Sequence, residues 1–349
     1  MNTKKKYALI TGCNGMDGSY LCEYLLTMNY VIHGTIRRSS LFNTARLNQI
    51  LDKINLHYAD ITDLSCLIMI LDKIKKSMDT DSILEIYNLA AQSHVQISFE
   101  LPIYTTNTDA IGTLNILEAI RLSSIKENIR FYQASTSEMF GEVQTVPQTE
   151  LTPFYPRSPY GVAKLYGYWI VKNYRESYNL HVSSGILFNH SSPRRGENFI
   201  LRKISLGIAK ILNNTEKYIY LGNLNSKRDI GHAKDFVRGM HLILQQDISD
   251  DYVLATGIQY TIKEFVEKAF KVVNINIKWK GEGINEVGYD QDDTNKIYIK
   301  INPKYFRPCE VHTLLGDYSK ANNKFQWTPE ITIDELIKEM VLSDCQQLK

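Results

Sequence analysis

Residues 7–18, YALITGCNGMDG, have the pattern of a strand, a tight turn and the start of a helix, and the fold prediction starts from this unit. The run before the glycines is apolar and prone to β-structure, and apolar residues recur after them at steps of three and four. Gly12, Gly15 and Gly18 form a GxxGxxG turn that lets the backbone approach a pyrophosphate seated on the helix N-terminus. An ordinary glycine-rich loop is the alternative for this turn taken alone.

Strand and helix patterns alternate after this turn, which predicts an α/β fold with a Rossmann-type doubly wound parallel sheet. The further predicted strands are 30–36, 56–59, 83–89, 129–134, 182–187 and 251–255. The clearest predicted helices are 107–121, 198–213, 233–246 and 333–342.

Beyond about residue 190 the alternation weakens, and we expect a smaller C-terminal α/β lobe that binds the substrate. The first domain is placed at residues 1–190, joined by about 231–256, and the second at 191–230 and 257–349. Within the second domain we expect a strand at 218–221, a loop at Lys227, Arg228 and Asp229, and a polar segment at 281–295.

The composition excludes several classes of protein. The 349 residues, 44% of them hydrophobic, are enough for a large core. Forty basic against 38 acidic side chains give no electrostatic basis for binding nucleic acid or a membrane. The five cysteines contain no CxxC pair, so we expect free thiols in a reducing cytoplasm and no metal site. Because no apolar run approaches about 18 residues, we expect a soluble, unprocessed protein.

The ends of the predicted strands indicate which cofactor the turn would hold. Arg37 and Arg38 follow the second strand, where an acidic residue would bind the ribose of NAD. Guanidinium groups match the 2′-phosphate of NADP, so we predict NADP; a solvated pair at a loop or subunit contact is the alternative. Asp60 and Asp63 follow the third strand, where a carboxylate can accept from an adenine amino group, and Asp63 can equally cap the next helix. His94 is interpreted as a local hydrogen-bonding residue.

The stretch 135–164 carries the reactive side chains. Tyr160 and Lys164 are four residues apart, so a helix that begins at Pro159 places them on one face. An ammonium there, together with a positively charged cofactor, would lower the pKa of the phenol. Glu138 is the only carboxylate of this constellation, and a helix cap or a surface position is its alternative role. These side chains should face the ligand cleft, because ligands of such sheets lie beyond the carboxyl ends of the strands.

Several separated motifs together resemble one enzyme family. They are TGCNGMDGSYL, RRSS, NLAAQSHV, STSEMFG, PFYPRSPYGVAK, LFNHSSPRRGENF, KRDIGHAKDFV and YFRPCEV, and they span nearly the whole chain. In these motifs the chain resembles the extended short-chain dehydrogenases/reductases, and within them the GDP-mannose 4,6-dehydratase family. The resemblance implies an NADP-dependent hydro-lyase that acts on GDP-mannose in deoxysugar biosynthesis, such as that of fucose, as a homodimer or homotetramer.

The resemblance also implies roles for individual residues. The catalytic group would be Thr136, Glu138, Tyr160 and Lys164, with Ser137 beside them. Cofactor contacts would fall on Gly12, Gly15, Gly18, Arg37, Arg38, Asp60, Tyr160 and Lys164. Nucleotide-sugar contacts would fall on Asn189, Lys203, Arg228, Arg307 and Glu310. Met16, Ile230 and His312 depart from the family's pattern, and Ile230, where a Trp is usual, leaves the packing around the nucleotide sugar open.

The chemistry of a dehydratase is consistent with these roles. Tyr160, as phenolate, would take the proton of the 4-hydroxyl while a hydride leaves carbon 4 for the nicotinamide. The resulting ketone acidifies the proton on carbon 5, so Glu138 can remove it and water leaves from carbon 6. A 4-epimerase, a 4,6-dehydratase for another nucleotide hexose and a non-catalytic NADP-binding protein are the alternatives. Glu138 disfavours the epimerase, and the complete catalytic group disfavours the non-catalytic protein.

Overall fold

The structure, a computed structural model, describes residues 5–348. Its strands are β1 (Lys6–Thr11), β2 (Tyr30–Ile36), β3 (Asn55–Tyr58), β4 (Leu84–Asn88), β5 (Ile129–Thr136), β6 (His181–Leu187), β7 (Asn189–Ser191), β8 (Ile219–Leu221), β9 (Lys227–His232), β10 (Asp251–Leu254), β11 (Gln259–Thr261), β12 (Ile277–Lys280), β13 (Val287–Asp290), β14 (Ile297–Ile301) and β15 (Thr313–Leu314). Its α-helices are α1 (Met16–Thr27), α2 (Leu64–Ser77), α3 (Val95–Glu100), α4 (Pro102–Thr106), α5 (Gly112–Leu122), α6 (Pro159–Tyr178), α7 (Ile200–Leu212), α8 (Ala233–Leu244), α9 (Ile262–Lys271), α10 (Ser319–Phe325) and α11 (Ile333–Gln347).

Seven parallel strands form the central sheet, in the spatial order β10-β6-β5-β4-β1-β2-β3. The chain starts in β1, adds β2 and β3 on one side, and then adds β4, β5, β6 and β10 on the other. The order therefore reverses between β1 and β4, and such a switch point leaves a ligand crevice at the carboxyl ends of the strands. This topology confirms the predicted Rossmann-type fold, including the return of residues 251–254 to the sheet.

The two faces of the sheet explain why the strands read as continuous apolar runs. In β1, Tyr7 and Leu9 belong to an apolar cluster with helices α2, α5 and α6. Ala8 and Ile10 point to the other face and pack with α1 and α8. Strands covered on both faces have no polar side to alternate with. Removing this apolar surface from water contributes about 25 cal/mol per Å² and is the main force that holds the layers together.

Two smaller sheets and three helices form most of the C-terminal part. One sheet contains β7, β9, β11 and β15, and the other contains β8, β12, β13 and β14. Helices α7, α9 and α11 pack around a common apolar cluster that includes Phe265 and Leu336. We propose the division into two lobes on this distribution of sheets. No helix among residues 5–348 is long and apolar enough to cross a membrane.

Two segments differ from the sequence-based expectation. Lys227, Arg228 and Asp229 were expected in a loop but open β9, which pairs with β7, β11 and β15. The helix expected at 107–121 begins earlier, at Pro102, and contains a π-helical turn at Asn107–Ile111. In the first case pairing with distant strands outweighs the low β-propensity of charged residues, which depends strongly on context.

Candidate active site

A cleft of about 540 Å³ opens where the carboxyl ends of the parallel strands meet. The glycine turn, the end of β5, the first turns of α6 and the start of β7 all contribute to its wall. The predicted site residues that line it are Gly12, Gly15, Gly18, Arg37, Asp60, Thr136, Ser137, Tyr160, Lys164 and Asn189. These predicted residues come from six separate segments of the sequence and line one cavity.

The glycine turn is packed too closely against its own backbone and Ala90 to hold side chains. Gly12 has a φ angle of +65°, and a Cβ there would lie 3.0 Å from the Ala90 Cα. A Cβ on Gly18 would lie 2.4 Å from the Gly12 carbonyl oxygen. Gly15 is the N-cap of α1 and brings no side chain to the helix end. A bare helix N-terminus of this kind binds phosphate groups through its N–H donors.

The two arginines predicted to contact the 2′-phosphate lie in different places. Arg37 lines the cleft and donates a hydrogen bond to the Tyr104 hydroxyl. The Arg38 guanidinium lies over the Tyr58 ring, 5.3 Å from its centroid, outside the cleft lining. Ser39 lines the cleft beside Arg37. Arg37 and Arg38, which we predicted to bind the same phosphate, therefore lie in different places in the structure.

Three polar residues near the strand ends have local hydrogen bonds. Asp60 lines the cleft, and its carboxylate accepts from the Thr62 N–H at 3.0 Å. Asp63 is the N-cap of α2, the second of the two roles open to it. His94 is the N-cap of α3, where its Nδ1 accepts from the Ile97 N–H at 3.3 Å. The interpretation of His94 as a local hydrogen-bonding residue is confirmed.

Helix α6 brings Tyr160 and Lys164 to the cleft. Pro159 is its first residue and the Ser158 side chain caps it, which confirms the predicted helix start. Lys164 is buried, and its ammonium donates to the Ala134 carbonyl of β5 at 3.1 Å. The Lys164 Nζ lies 5.9 Å from the centroid of the Tyr160 ring. The ammonium is thus held between the helix and the end of the sheet.

The pKa of the Tyr160 phenol is raised in this protein. Burial is the main cause, and the negative charge of Asp109 adds to it. A hydrogen bond with the Thr136 hydroxyl and the charge of Arg195 act in the opposite direction. Burial also lowers the pKa of Lys164, against the effect of Asp109. Burial outweighs the effects of Thr136 and Arg195, so the predicted lowering of the phenol pKa needs further positive charge, such as that of the cofactor.

Glu138 lies just beyond the end of β5, beside Thr136. The Thr136 hydroxyl accepts from the Glu138 N–H at 3.2 Å and so caps the short 3₁₀ turn that follows the strand. The Glu138 carboxylate is buried and lies 3.5 Å from the Arg307 guanidinium. Its charge also acts on Tyr160. Thr136, Glu138 and Tyr160 are therefore neighbours, as the resemblance implied.

A charged cluster of Glu138, Arg228, Arg307 and Glu310 adjoins the cleft. Arg228 is buried on β9, and its guanidinium lies 3.5 Å from the Glu310 carboxylate. Burial lowers the pKa of Arg228, the charges of Glu138 and Glu310 raise it, and that of Arg307 lowers it. Two guanidinium groups next to a buried carboxylate give this cluster the donors that a diphosphate requires.

The other two predicted substrate contacts lie at the edges of this region. Asn189 lines the cleft, and its Oδ1 is buried without a hydrogen-bond partner among residues 5–348. The Lys203 Nζ lies 3.3 Å from the centroid of the Tyr305 ring, two residues before Arg307. Asn189 therefore has an acceptor available for a ligand, whereas Lys203 makes a cation–π contact.

The three positions that depart from the family pattern have different surroundings. Ile230 is paired with Asn189 across β7 and β9, and its side chain is buried in the C-terminal apolar cluster. Met16 lines the cleft at the start of α1. His312 is exposed, and its carbonyl accepts from the Lys227 N–H at 2.9 Å. Ile230 is thus accommodated as a core residue.

The cleft also contains charged residues that were not singled out from the sequence. The His190 Nε2 lies 2.9 Å from Asp17 Oδ2, and its ring stacks on Phe236. Arg195 lines the cleft with its guanidinium 3.8 Å from the centroid of the Phe199 ring. Burial would raise the pKa of Asp17, but the charges of His190 and Arg195 outweigh it and lower the pKa. The signal for both lay in LFNHSSPRRG, which leaves the carboxyl end of a predicted strand.

Known proteins are similar to this chain in sequence over nearly its whole length. The family model described as GDP-mannose 4,6 dehydratase matches residues 9–340. GDP-mannose 4,6 dehydratase 2 of Caenorhabditis elegans is 53% identical over 350 residues, covering 98% of this chain and 89% of that protein. The human GDP-mannose 4,6 dehydratase is 49% identical over 357 residues, covering 100% of this chain and 94% of that protein.

Solved structures of lower sequence identity share the fold. A dTDP-glucose 4,6-dehydratase from Streptomyces venezuelae superposes with a TM-score of 0.79 at 20% identity, covering 98% of this chain and 100% of that one. A UDP-glucose 4-epimerase from Thermus thermophilus gives 0.78 at 20% identity, covering 97% and 98%. Because the family model spans most of the sequence and relatives about half identical cover nearly all of it, the chain belongs to the GDP-mannose 4,6-dehydratase family.

Proposed function

We propose that this protein converts GDP-mannose to GDP-4-keto-6-deoxymannose with NADP as its bound cofactor. The observation that carries the proposal is the buried Glu138 carboxylate, which lies beside Thr136 and close enough to act electrostatically on Tyr160. Elimination of water requires a base of this kind, whereas epimerisation at carbon 4 does not. Membership of the family supports GDP-mannose as the substrate.

The cofactor site is supported by the shape and charge of the cleft. The glycine turn lines the cleft at the N-terminus of α1, where N–H groups can bind the pyrophosphate, and Arg37 and Ser39 supply donors for a 2′-phosphate, which favours NADP over NAD. The nicotinamide, when bound, supplies the chemistry of accepting a hydride from carbon 4 and returning it at carbon 6. Lys164 lines the cleft and is placed to hold the adjacent ribose.

Tyr160 is the proposed base for the 4-hydroxyl. Its phenol is buried and the Thr136 hydroxyl interacts with it, so Thr136 is placed to orient the 4-oxygen of the sugar. Because burial and Asp109 raise the pKa of the phenol, its ionisation requires added positive charge nearby. The guanidinium of Arg195 already acts in that direction.

Glu138 is the proposed base for carbon 5. Once carbon 4 is a ketone, the neighbouring C–H is acidic enough for a carboxylate to remove its proton. The same carboxyl group can then deliver that proton to the departing 6-hydroxyl, so that water leaves and no charge is left behind. Ser137, which lines the cleft next to Glu138, is placed to contact the sugar during this step.

The charged cluster is the proposed site of the nucleotide diphosphate. Arg228 and Arg307 are the cations placed to bind its oxygens, since planar guanidinium groups match phosphate geometry. Glu310 lies 3.5 Å from Arg228 and is placed to hold it in position. Asn189 offers its unpartnered Oδ1 to the substrate, and Lys203 extends the basic surface nearby.

An apolar stripe on α6 supports the proposal of a homodimer or homotetramer. Val162, Tyr166 and Trp169 are 56%, 40% and 51% exposed, and they recur at helical steps on the face away from the sheet. Large exposed side chains grouped on one face are typical of subunit contacts. We propose a cytoplasmic location for the assembly, as the cysteine pattern of the sequence indicates.

The function is tested by incubating the purified protein separately with GDP-mannose, UDP-glucose and dTDP-glucose. We expect a product lighter by one water from GDP-mannose alone, detected by mass spectrometry. An unchanged mass with an inverted carbon 4, detected by NMR, would instead identify an epimerase. NADP binding without turnover of any of the three sugars would favour the non-catalytic alternative.

A further inference from the structure

A buried carboxylate, Asp109, lies next to α6 on a π-helical turn. Asp109 is 1% exposed and lies within the π-helical turn between α4 and α5. Such turns occur often at functional sites, because the extra residue changes the direction of side chains. The turn packs closely on α6, since a Cβ on Gly167 would lie 3.4 Å from the Asp109 carbonyl oxygen. Gly167 and Lys164 are three residues apart, so Asp109 lies beside the face that carries Lys164.

The two carboxylate oxygens of Asp109 have different partners. Oδ1 accepts from the Gln92 N–H at 2.7 Å, in the loop after β4 whose residues Ala91 and Ser93 line the cleft. Oδ2 is buried and has no hydrogen-bond partner among residues 5–348. A buried carboxylate oxygen without a donor is costly, so a charge nearby has to compensate for it.

Lys164 supplies that charge. Burial raises the pKa of Asp109 to about 6, and the Lys164 ammonium lowers it. Burial lowers the pKa of Lys164, and the Asp109 carboxylate raises it. Each group therefore favours the charged form of the other inside the protein. Asp109 accepts from the Gln92 N–H, and the Lys164 ammonium donates to the Ala134 carbonyl. The two charged groups therefore connect the loop after β4 with the end of β5.

We propose that Asp109 is a positioning residue, the buried counter-charge that keeps the Lys164 ammonium at the wall of the cofactor cleft. It touches no reacting atom and acts through Lys164 and Tyr160, so the proposal rests on the function assigned to those two residues. The remaining charges that act on Tyr160 are Glu138 and Arg195. The negative charge of Asp17 on α1 in turn favours the charged form of Arg195.

Removing the charge of Asp109 should shift the pKa values of Lys164 and Tyr160 in a predictable direction. Without that negative charge, the pKa values of Lys164 and Tyr160 both fall, because each is raised by it. In the proposed mechanism, the acid limb of the pH–activity profile reports formation of the Tyr160 phenolate. The alkaline limb reports loss of the proton from the Lys164 ammonium. Both limbs of the pH–activity profile should therefore move to lower pH, whereas a general loss of packing would lower activity at every pH.

The test compares Asp109→Asn with Thr113→Val. Asn keeps an oxygen for the Gln92 N–H and loses the charge. Thr113→Val removes the hydroxyl that donates to the Asp109 carbonyl at 2.8 Å and changes no charge. We expect both limbs of kcat/KM for GDP-mannose to shift down by about one pH unit or more in Asp109→Asn, and to stay in place in Thr113→Val. Asp109→Glu, which keeps the charge, should retain the wild-type limbs even if kcat falls.

A second readout does not depend on turnover. Lysine labelled with carbon-13 at the ε-carbon reports protonation by NMR, and the Lys164 signal is assigned by its loss in Lys164→Arg. We expect its titration midpoint to fall in Asp109→Asn and not in Thr113→Val. An unchanged midpoint in Asp109→Asn, or equal shifts in both variants, overturns the proposal. If the midpoint falls while the wild-type protein dehydrates no sugar, the proposed function fails and the role of Asp109 stands.

Discussion

The Arg307 guanidinium lies 3.5 Å from the Glu138 carboxylate, across 169 residues of sequence. Glu138 is 7% exposed and Arg307 is 27% exposed, so salt screens this pair less than it would a fully exposed one. The contact joins the proposed base for carbon 5 to a proposed ligand of the diphosphate. In the proposed function, this contact therefore links the residue for chemistry with a residue for substrate binding.

Replacing Glu138 with Gln should separate oxidation from dehydration. The amide keeps the size of the side chain but cannot take the proton from carbon 5, so we expect product formation to fall by about 10²- to 10⁴-fold. Reduced nicotinamide should still form when GDP-mannose is added, as measured by its absorbance in a single turnover. Rapid release of the dehydrated product by Glu138→Gln would show that another group is the base.

Replacing Arg307 with Ala should weaken the binding of GDP. Loss of a charge-assisted contact to phosphate is expected to raise the dissociation constant by roughly tenfold or more. Isothermal titration with GDP measures this without any turnover. Lys304→Ala is the control, because Lys304 is an exposed cation in the turn just before Arg307. Equal weakening by both variants would indicate a general loss of positive charge.

Arg37→Ala and Arg38→Ala should differ in their effect on NADP. Both were expected to contact the 2′-phosphate, but Arg37 lines the cleft while Arg38 lies over the Tyr58 ring. We therefore expect Arg37→Ala to weaken NADP far more than NAD, and Arg38→Ala to have the smaller effect. Dissociation constants for both nucleotides test this, and equal losses for NADP and NAD in Arg37→Ala would contradict it.

Asp251→Ala should destabilise the edge of the central sheet. Asp251 on β10 accepts two hydrogen bonds from the Arg175 guanidinium of α6, at 2.5 and 3.1 Å. Removing the carboxylate leaves a largely buried guanidinium unpaired, which lowers the free energy of unfolding by about 3–5 kcal/mol. Urea unfolding measures the change. Glu216→Ala, which removes an exposed ion pair with Lys210, should cost less than about 1 kcal/mol.

The sequence predicts those parts of the site whose conformation is set by neighbouring residues. The spacing of Gly12, Gly15 and Gly18 predicts the strand, turn and helix that the structure has. Pro159 predicts the first residue of α6. In each case, the residues that specify the conformation are within one or two turns of it, so no knowledge of distant contacts is needed.

Features that depend on distant contacts could not be predicted in this way. The strand β9 contains Lys227, Arg228 and Asp229, and it forms because three strands from other parts of the chain pair with it. The polarity of Arg228 and Arg307 does not indicate that Arg228 is buried or that Arg307 is half-buried beside Glu138. Asp109 belongs to an amphipathic pattern that gives no sign of the π-helical turn.

The position of β10 also has a consequence during protein synthesis. This strand pairs with Ser184 to Leu187 of β6, but it is translated more than sixty residues later, after β7, β8 and β9. Until then a growing chain on the ribosome has an unpaired edge at β6, and such edges recruit other strands. A fragment that stops at residue 190 would therefore be an unfinished sheet, and we expect it to aggregate or require a chaperone.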